Sequence, residues 1–114
     1  MARVLLSESD PDVRRLLELL LERLGHEVVT LAGPTVPPEA DLMLLEPASP
    51  AGLDHARLAR THQPDLPIIC VSVLPEDADF LELGPLEYLA KPFALVELRS
   101  AVDEVLSLAR PHAA

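Results

Sequence analysis

Residues 4–14 read Val4-Leu5-Leu6-Ser7-Glu8-Ser9-Asp10-Pro11-Asp12-Val13-Arg14. Val4 to Ser7 is a short apolar run of the kind a buried strand shows. Asp10 followed by Pro11 reads as a helix N-cap and first turn, with Asp12 an anion favoured by the helix dipole. Val13, Leu16, Leu17, Leu20 and Leu24 then recur at helical spacing, Arg14, Arg15, Glu18 and Glu22 lie largely off that stripe, and Gly25 stops the helix. A buried strand that empties through an acidic turn into an amphipathic helix is the opening unit of an α/β domain.

The same unit recurs along the chain. His26 to Leu31 holds a second strand centred on Val28 and Val29. Asp41 to Glu46 carries the third, Leu42-Met43-Leu44-Leu45, and Ile68-Ile69-Cys70-Val71, ending at Ser72, the fourth. Leu86 to Leu89 is a short fifth strand, ended by Lys91-Pro92. Helices are expected over Leu53 to about His62, over Pro75 to Leu83, and at the end, where Leu95, Leu98, Val102, Val105, Leu106 and Ala109 form an inner stripe. Between strands two and three a full helix is not expected, because Pro34, Pro37 and Pro38 fall within Ala32 to Ala40. Continuous apolar strands alternating with helices imply a parallel sheet covered on both faces. The fold class is therefore α/β: a flavodoxin-like, doubly wound, five-stranded parallel sheet with its second crossover shortened.

Composition narrows the function. The chain has 114 residues, the length of a single domain, with 9 Lys plus Arg against 19 Asp plus Glu, a net charge of −10. Phosphate contacts need Lys and Arg, so nucleic acid is not an expected partner. The apolar runs are too short to span a membrane, and the N-terminus lacks a secretion signal, so a cytoplasmic protein is expected. Cys70 sits inside an apolar strand as a core thiol. His26, His55, His62 and His112 lack close ligand spacing, which argues against zinc. There is no glycine-rich phosphate loop after strand one and no Gly-x-Ser-x-Gly elbow, so a nucleotide-binding site or a hydrolase of those kinds is not expected, and the chain is read as a non-enzyme.

In an open α/β sheet the chemistry lies at the carboxyl ends of the strands. Those ends carry Glu8 and Ser9, Glu46, Ser72 and the single lysine, Lys91. A lysine in such a crevice needs a carboxylate partner, and Glu46 is the expected one.

These motifs together resemble a response-regulator receiver domain of two-component signalling, over essentially the whole chain. Val4 to Arg14 resembles its opening, Asp41 to Glu46 with Ser49-Pro50 its third strand and loop, Pro67 to Ser72 its fourth strand, and Tyr88-Leu89-Ala90-Lys91-Pro92-Phe93 its fifth strand and lysine-proline turn. The resemblance implies an acidic pocket at Glu8 and Ser9, a phosphoacceptor-equivalent at Glu46, a hydroxyl at Ser72 for a phosphoryl group, a pairing cation at Lys91, and an aromatic switch at Tyr88. It also raises the expectation of a cis peptide before Pro92. It implies protein partners, a histidine kinase or a downstream signalling protein, and a binding surface on the helix before strand five, strand five (Leu86, Tyr88) and the last helix, compatible with a homodimer.

The sequence also departs from the family pattern. Receivers usually hold Mg²⁺ with an acidic pair after strand one, and here the second member is Ser9. The phosphorylated aspartate is replaced by Glu46, which adds a methylene and moves a nucleophile by more than about 1 Å, a displacement worth about 100-fold in rate. Loss of a hard anionic ligand at Ser9 weakens a Mg²⁺ site, leaving Glu8 as a weak metal candidate. The expectation is a pseudo-receiver of residues 1–114 with no output domain and no required cofactor, held in one state by a Glu46–Lys91 pair. The competing expectation is a Mg²⁺-dependent phosphoacceptor that takes a phosphoryl group from a histidine kinase at Glu46. A small hydrolase in the same crevice would need a substrate loop that the sequence does not offer.

Overall fold

The computed structural model describes residues 2–34, 36–72, 84 and 87–109. Strand β1 (Arg3–Ser7) leads into helix α1 (Pro11–Arg23). The Asp10 carboxylate accepts from the backbone N–H groups of Asp12 and Val13 at 2.9 and 3.2 Å, satisfying donors that the first turn leaves without helical partners. At the other end Gly25 takes φ +92°, its N–H bonds to the Glu22 carbonyl, and that of His26 bonds to the Leu21 carbonyl. This left-handed stop favours glycine because it lacks a Cβ.

Beyond it come β2 (Glu27–Thr30), β3 (Leu42–Leu45), α2 (Gly52–His62), β4 (Ile68–Ser72), β5 (Glu87–Ala90) and α3 (Leu95–Ala109). All five strands are parallel in the order β2-β1-β3-β4-β5. The expected fold class stands, including the shortened second crossover. The helix expected over Pro75 to Leu83, and Leu86 at the start of strand five, lie outside the described residues.

Alternate residues along each strand face opposite sides of the sheet, and the core divides accordingly. Leu6, Leu42, Leu44, Ile69 and Val71 pack under α1 and α3, whose Leu17, Leu21, Leu98, Val102 and Val105 they meet. Leu5, Met43, Leu45, Ile68 and Cys70 pack on the other face against Ala56 and Ala59 of α2, with Leu31, Ala40 and Leu66. Cys70 is a buried free thiol, as expected.

One position on the expected stripe of α1 is corrected. Leu16 is 50% exposed, and Leu21 is fully buried in its place. Both lie next to the apolar sector of the helix, and packing on the sheet buries the side of Leu21. A run of leucines hides that choice from the sequence.

The proline-rich crossover is a strap, helix-free over its described residues, tied down at several points. Gln63 brackets Ala40, accepting from its N–H at 2.7 Å and donating to its carbonyl at 2.9 Å. The Arg3 backbone N–H donates to the Asp41 carboxylate at 2.8 Å. His55 Nε2 donates to the Gly33 carbonyl at 2.9 Å. These bonds satisfy polar groups that a crossover helix would have satisfied internally.

Candidate functional site at the carboxyl edge of the sheet

Strand register builds the site. Ser7 of β1 pairs with Leu45 of β3, so the next residues, Glu8 and Glu46, emerge side by side. The Glu46 N–H donates to the Ser7 carbonyl at 2.9 Å and fixes that juxtaposition. Ser72 of β4 pairs with Ala90 of β5, and the Lys91 N–H donates to the Ser72 carbonyl at 2.9 Å. Neighbouring strands lie about 4.8 Å apart, so Lys91 stands about 10 Å from β3 in the sheet. Its long side chain closes that gap by reaching back over Ser72.

The lysine meets both acids. Lys91 Nζ is 3.1 Å from Glu46 Oε2 and hydrogen-bonds Glu8 Oε1 directly. The Ser72 hydroxyl, fully buried, donates to Glu46 Oε1 at 2.8 Å, and the Ala48 N–H donates to the same oxygen at 2.9 Å. Glu8 Oε2 accepts from the Asp10 N–H at 3.3 Å and from the Ser49 hydroxyl at 3.5 Å. The charged side chains are 3% (Glu8), 8% (Glu46) and 14% (Lys91) exposed, so the triad is largely withdrawn from water. Such charges persist only when paired and hydrogen-bonded, as these are. Burial works to lower the Lys91 pKa, but hydrogen bonds to Glu8 and Glu46, with the charges of both, outweigh it and hold the pKa above the ordinary 10.5.

Glu8, Glu46, Ser72 and Lys91 are thus brought together as expected, but the pairing is wider than the sequence suggested. Glu46 was the expected partner of Lys91, and Glu8 proves to be a second. Ser9 stands apart from the triad: its hydroxyl accepts from Ser49 at 3.0 Å and its N–H donates to Ser49 Oγ at 3.1 Å. Tyr88 is half-buried, packed against the cluster beneath α2. The Lys91–Pro92 peptide bond is cis. Asp10 caps α1, and Asp12 lies in its first turn.

Sequence reasoning missed Ser49 and His55. Ser49 is buried and links the β3–α2 loop to the β1–α1 turn. His55 Nδ1 shares a 2.7 Å hydrogen bond with the Ser7 hydroxyl, while Nε2 holds Gly33. The one signal for Ser49 was its place in the loop after Glu46. His55 had none, since its partners are far away in sequence.

These residues do not fit a divalent cation. Among the described residues Glu8 and Glu46 are the carboxylates that meet in the crevice, and each already receives the Lys91 ammonium. Mg²⁺ needs hard oxygen donors in near-octahedral array, and Ser9, a neutral hydroxyl bonded to Ser49, supplies no third anion. Among the described residues no group of three or more His, Cys, Asp or Glu side chains is arranged to hold a metal.

The loop around Glu46 is tightly built. A Cβ added to Gly52 would stand 2.6 Å from the Glu46 carbonyl oxygen, closer than van der Waals contact permits. Gly52→Ala is therefore expected to push the β3–α2 loop away from α2 and lower stability by about 1–3 kcal/mol in chemical denaturation.

No protein-family profile matches the sequence. It is 35% identical to the DNA-binding transcriptional regulator NtrC of Azospirillum brasilense, over 99% of this chain and 26% of that protein. The response regulator TrrA of Thermotoga maritima, solved with Mg²⁺ and beryllofluoride, superposes with a TM-score of 0.76 at 26% identity, covering 92% of this chain and 99% of that one. This chain is a response-regulator receiver domain. The receiver domain of the sensor histidine kinase PA1611 from Pseudomonas aeruginosa, with Mg²⁺ in its cleft, superposes at a TM-score of 0.79, with 25% identity over 93% of this receiver and 98% of that one. The receiver spans between a quarter and a half of the length of the curated relatives it matches. Among its described residues no helix is long and apolar enough to cross a membrane.

Proposed function

We propose that this domain is a pseudo-receiver, a two-component signalling module that acts by protein–protein interaction without taking a phosphoryl group. The observation that carries the reading is the Lys91 ammonium in contact with both Glu8 and Glu46. An aspartyl-phosphate switch needs a metal to neutralise phosphoryl oxygens and a carboxylate free for in-line attack. Here the chain's own cation pairs with both acids and offsets one of their two charges. Glu46, one methylene longer than aspartate, carries its charge toward the hydroxyl and the ammonium that would receive a phosphoryl group. The domain is held in one state by this bridge and is not an enzyme.

Its partner is a histidine kinase or a downstream signalling protein in the cytoplasm. On α3 Val96 and Leu108 are exposed, and so is Leu95, which the sequence placed on the inner stripe and which the first turn of the helix leaves 41% exposed. The helix belongs to the binding surface implied by the family resemblance, for a partner or a second copy.

A Mg²⁺ titration followed by amide NMR tests the reading. The expected result is no saturable shift at Glu8, Ser9, Ala48 or Lys91. Saturable shifts there would favour the second reading, phosphorylation of Glu46 by a histidine kinase with Mg²⁺ held by Glu8 and backbone.

A further inference from the structure

On the far side of Glu8 from the lysine lies a pocket of about 230 Å³ between the β1–α1 turn, the end of β2 and the start of α2. Its polar wall includes Arg14, Ser9, Ser49 and His55. A second pocket of about 270 Å³, walled in part by Pro34 and Leu58, adjoins it, and Gly33, Ala51 and His55 line both. The shortened crossover shapes both, because its strap is pinned by His55 at Gly33, and Gly33 lines each.

Donors face into the first pocket. Arg14 is half-buried and forms no ion pair among the described residues; its guanidinium reaches the Glu8 carbonyl at 3.5 Å, a long hydrogen bond. Ser9 Oγ lies 3.0 Å from Ser49 Oγ, so the two hydroxyls share a hydrogen bond at this wall. Glu8 also lines this pocket, but its carboxylate is paired with Lys91 and bonded to Asp10 and Ser49. The second pocket is apolar except for the His55 ring and Asp54, which sits 3.9 Å from the Arg57 guanidinium. A guanidinium and a hydroxyl at one end and an apolar recess at the other match a small amphiphilic anion. The chain's net charge of −10 opposes any anion at long range, but at physiological salt this repulsion decays over about 8 Å, whereas the Arg14 contact is direct.

We propose that the first pocket binds a small organic oxyanion, its carboxylate or phosphate against Arg14 and Ser9 and its alkyl part in the adjoining pocket beside Pro34 and Leu58. The ligand is linked to the lysine bridge through Ser9, Ser49 and Glu8. It would give the domain a chemical input beside the crevice of Glu46, Ser72 and Lys91, across Glu8 from it. The inference rests on the Lys91–Glu8 pairing and not on whether Glu46 can be phosphorylated.

Amide NMR titration of the full chain with hexanoate, hexyl phosphate and 1-hexanol near 0.15 M salt tests it. Hexanoate or hexyl phosphate is expected to give saturable shifts at Ser9, Gly33, Ser49 and Ala51, and 1-hexanol to bind at least about tenfold more weakly. The two anions compared show which headgroup is preferred. Arg14→Gln is expected to weaken anion binding by about tenfold or more with the rest of the spectrum unchanged. Equal binding of the alcohol, unaltered binding by Arg14→Gln, or no saturable shift with either anion would overturn the proposal. The wild-type comparison of anion with alcohol decides the matter even if the variant folds poorly. None of these readouts depends on Mg²⁺ or phosphorylation, so failure here is distinct from failure of the pseudo-receiver reading.

Discussion

Lys91→Met is expected to destabilise the domain by about 3–5 kcal/mol, the range for breaking a buried ion pair by removing one partner. The loss exceeds that of a surface pair because Glu8 and Glu46 would face each other almost wholly out of water. Adding Glu8→Gln in the Lys91→Met background is expected to restore part of the loss, since it removes one of two repelling charges. Urea denaturation of the single and double variants measures both effects. Failure of the second substitution to recover stability would mean that the lysine stabilises by packing alone. The same triad sets a pH dependence. Because the Lys91 pKa is raised above 10.5 in the folded state, its contribution is fully present below 10.5 and is lost as pH climbs through the higher folded value. Wild type should therefore lose stability in that alkaline range more steeply than Lys91→Met.

The second large effect is a gain of function. Ser9→Asp combined with Glu46→Asp is expected to create Mg²⁺ binding and Mg²⁺-dependent phosphorylation, neither of which the proposed pseudo-receiver reading gives the wild type. The shorter side chain at position 46 would draw its carboxylate back from Lys91 and Ser72 by more than about 1 Å, a distance that matters about 100-fold in rate. The new carboxylate at position 9 would add a hard anion beside Glu8, restoring the acidic pair that Mg²⁺ prefers. Glu8 would then have both a metal and Lys91 to choose between, so metal affinity should rise further when Lys91 is also replaced. Calorimetric Mg²⁺ titration and intact mass after exposure to acetyl phosphate measure the two gains. If the paired substitution binds no metal, the departures at Ser9 and Glu46 are not what closes the site.

The sequence was most informative where chemistry and topology coincide. Glu46, Ser72 and Lys91 each stand at or one step from the end of an apolar strand, so their convergence followed from the alternation of strands and helices alone. The Glu8–Lys91 contact was hidden. It depends on β1 lying beside β3 and on Ser7 pairing with Leu45, and strand order and register are tertiary facts. Glu8 therefore read as an acid of the crevice and a weak metal candidate, with Glu46 alone expected to pair with Lys91. His55 was hidden for a similar reason: Ser7 and Gly33 reach it only through the folded sheet and the strap. The exchange of Leu16 for Leu21 on the inner face of α1 shows the limit of periodicity in a leucine-rich helix, where several faces look alike until a partner surface selects one.

The most direct test of the account is the intact mass of the wild-type chain after incubation with acetyl phosphate, with and without Mg²⁺. The lysine bridge predicts an unmodified mass in both conditions. A Mg²⁺-dependent phosphoryl adduct mapping to Glu46 would contradict it and make this domain a working switch.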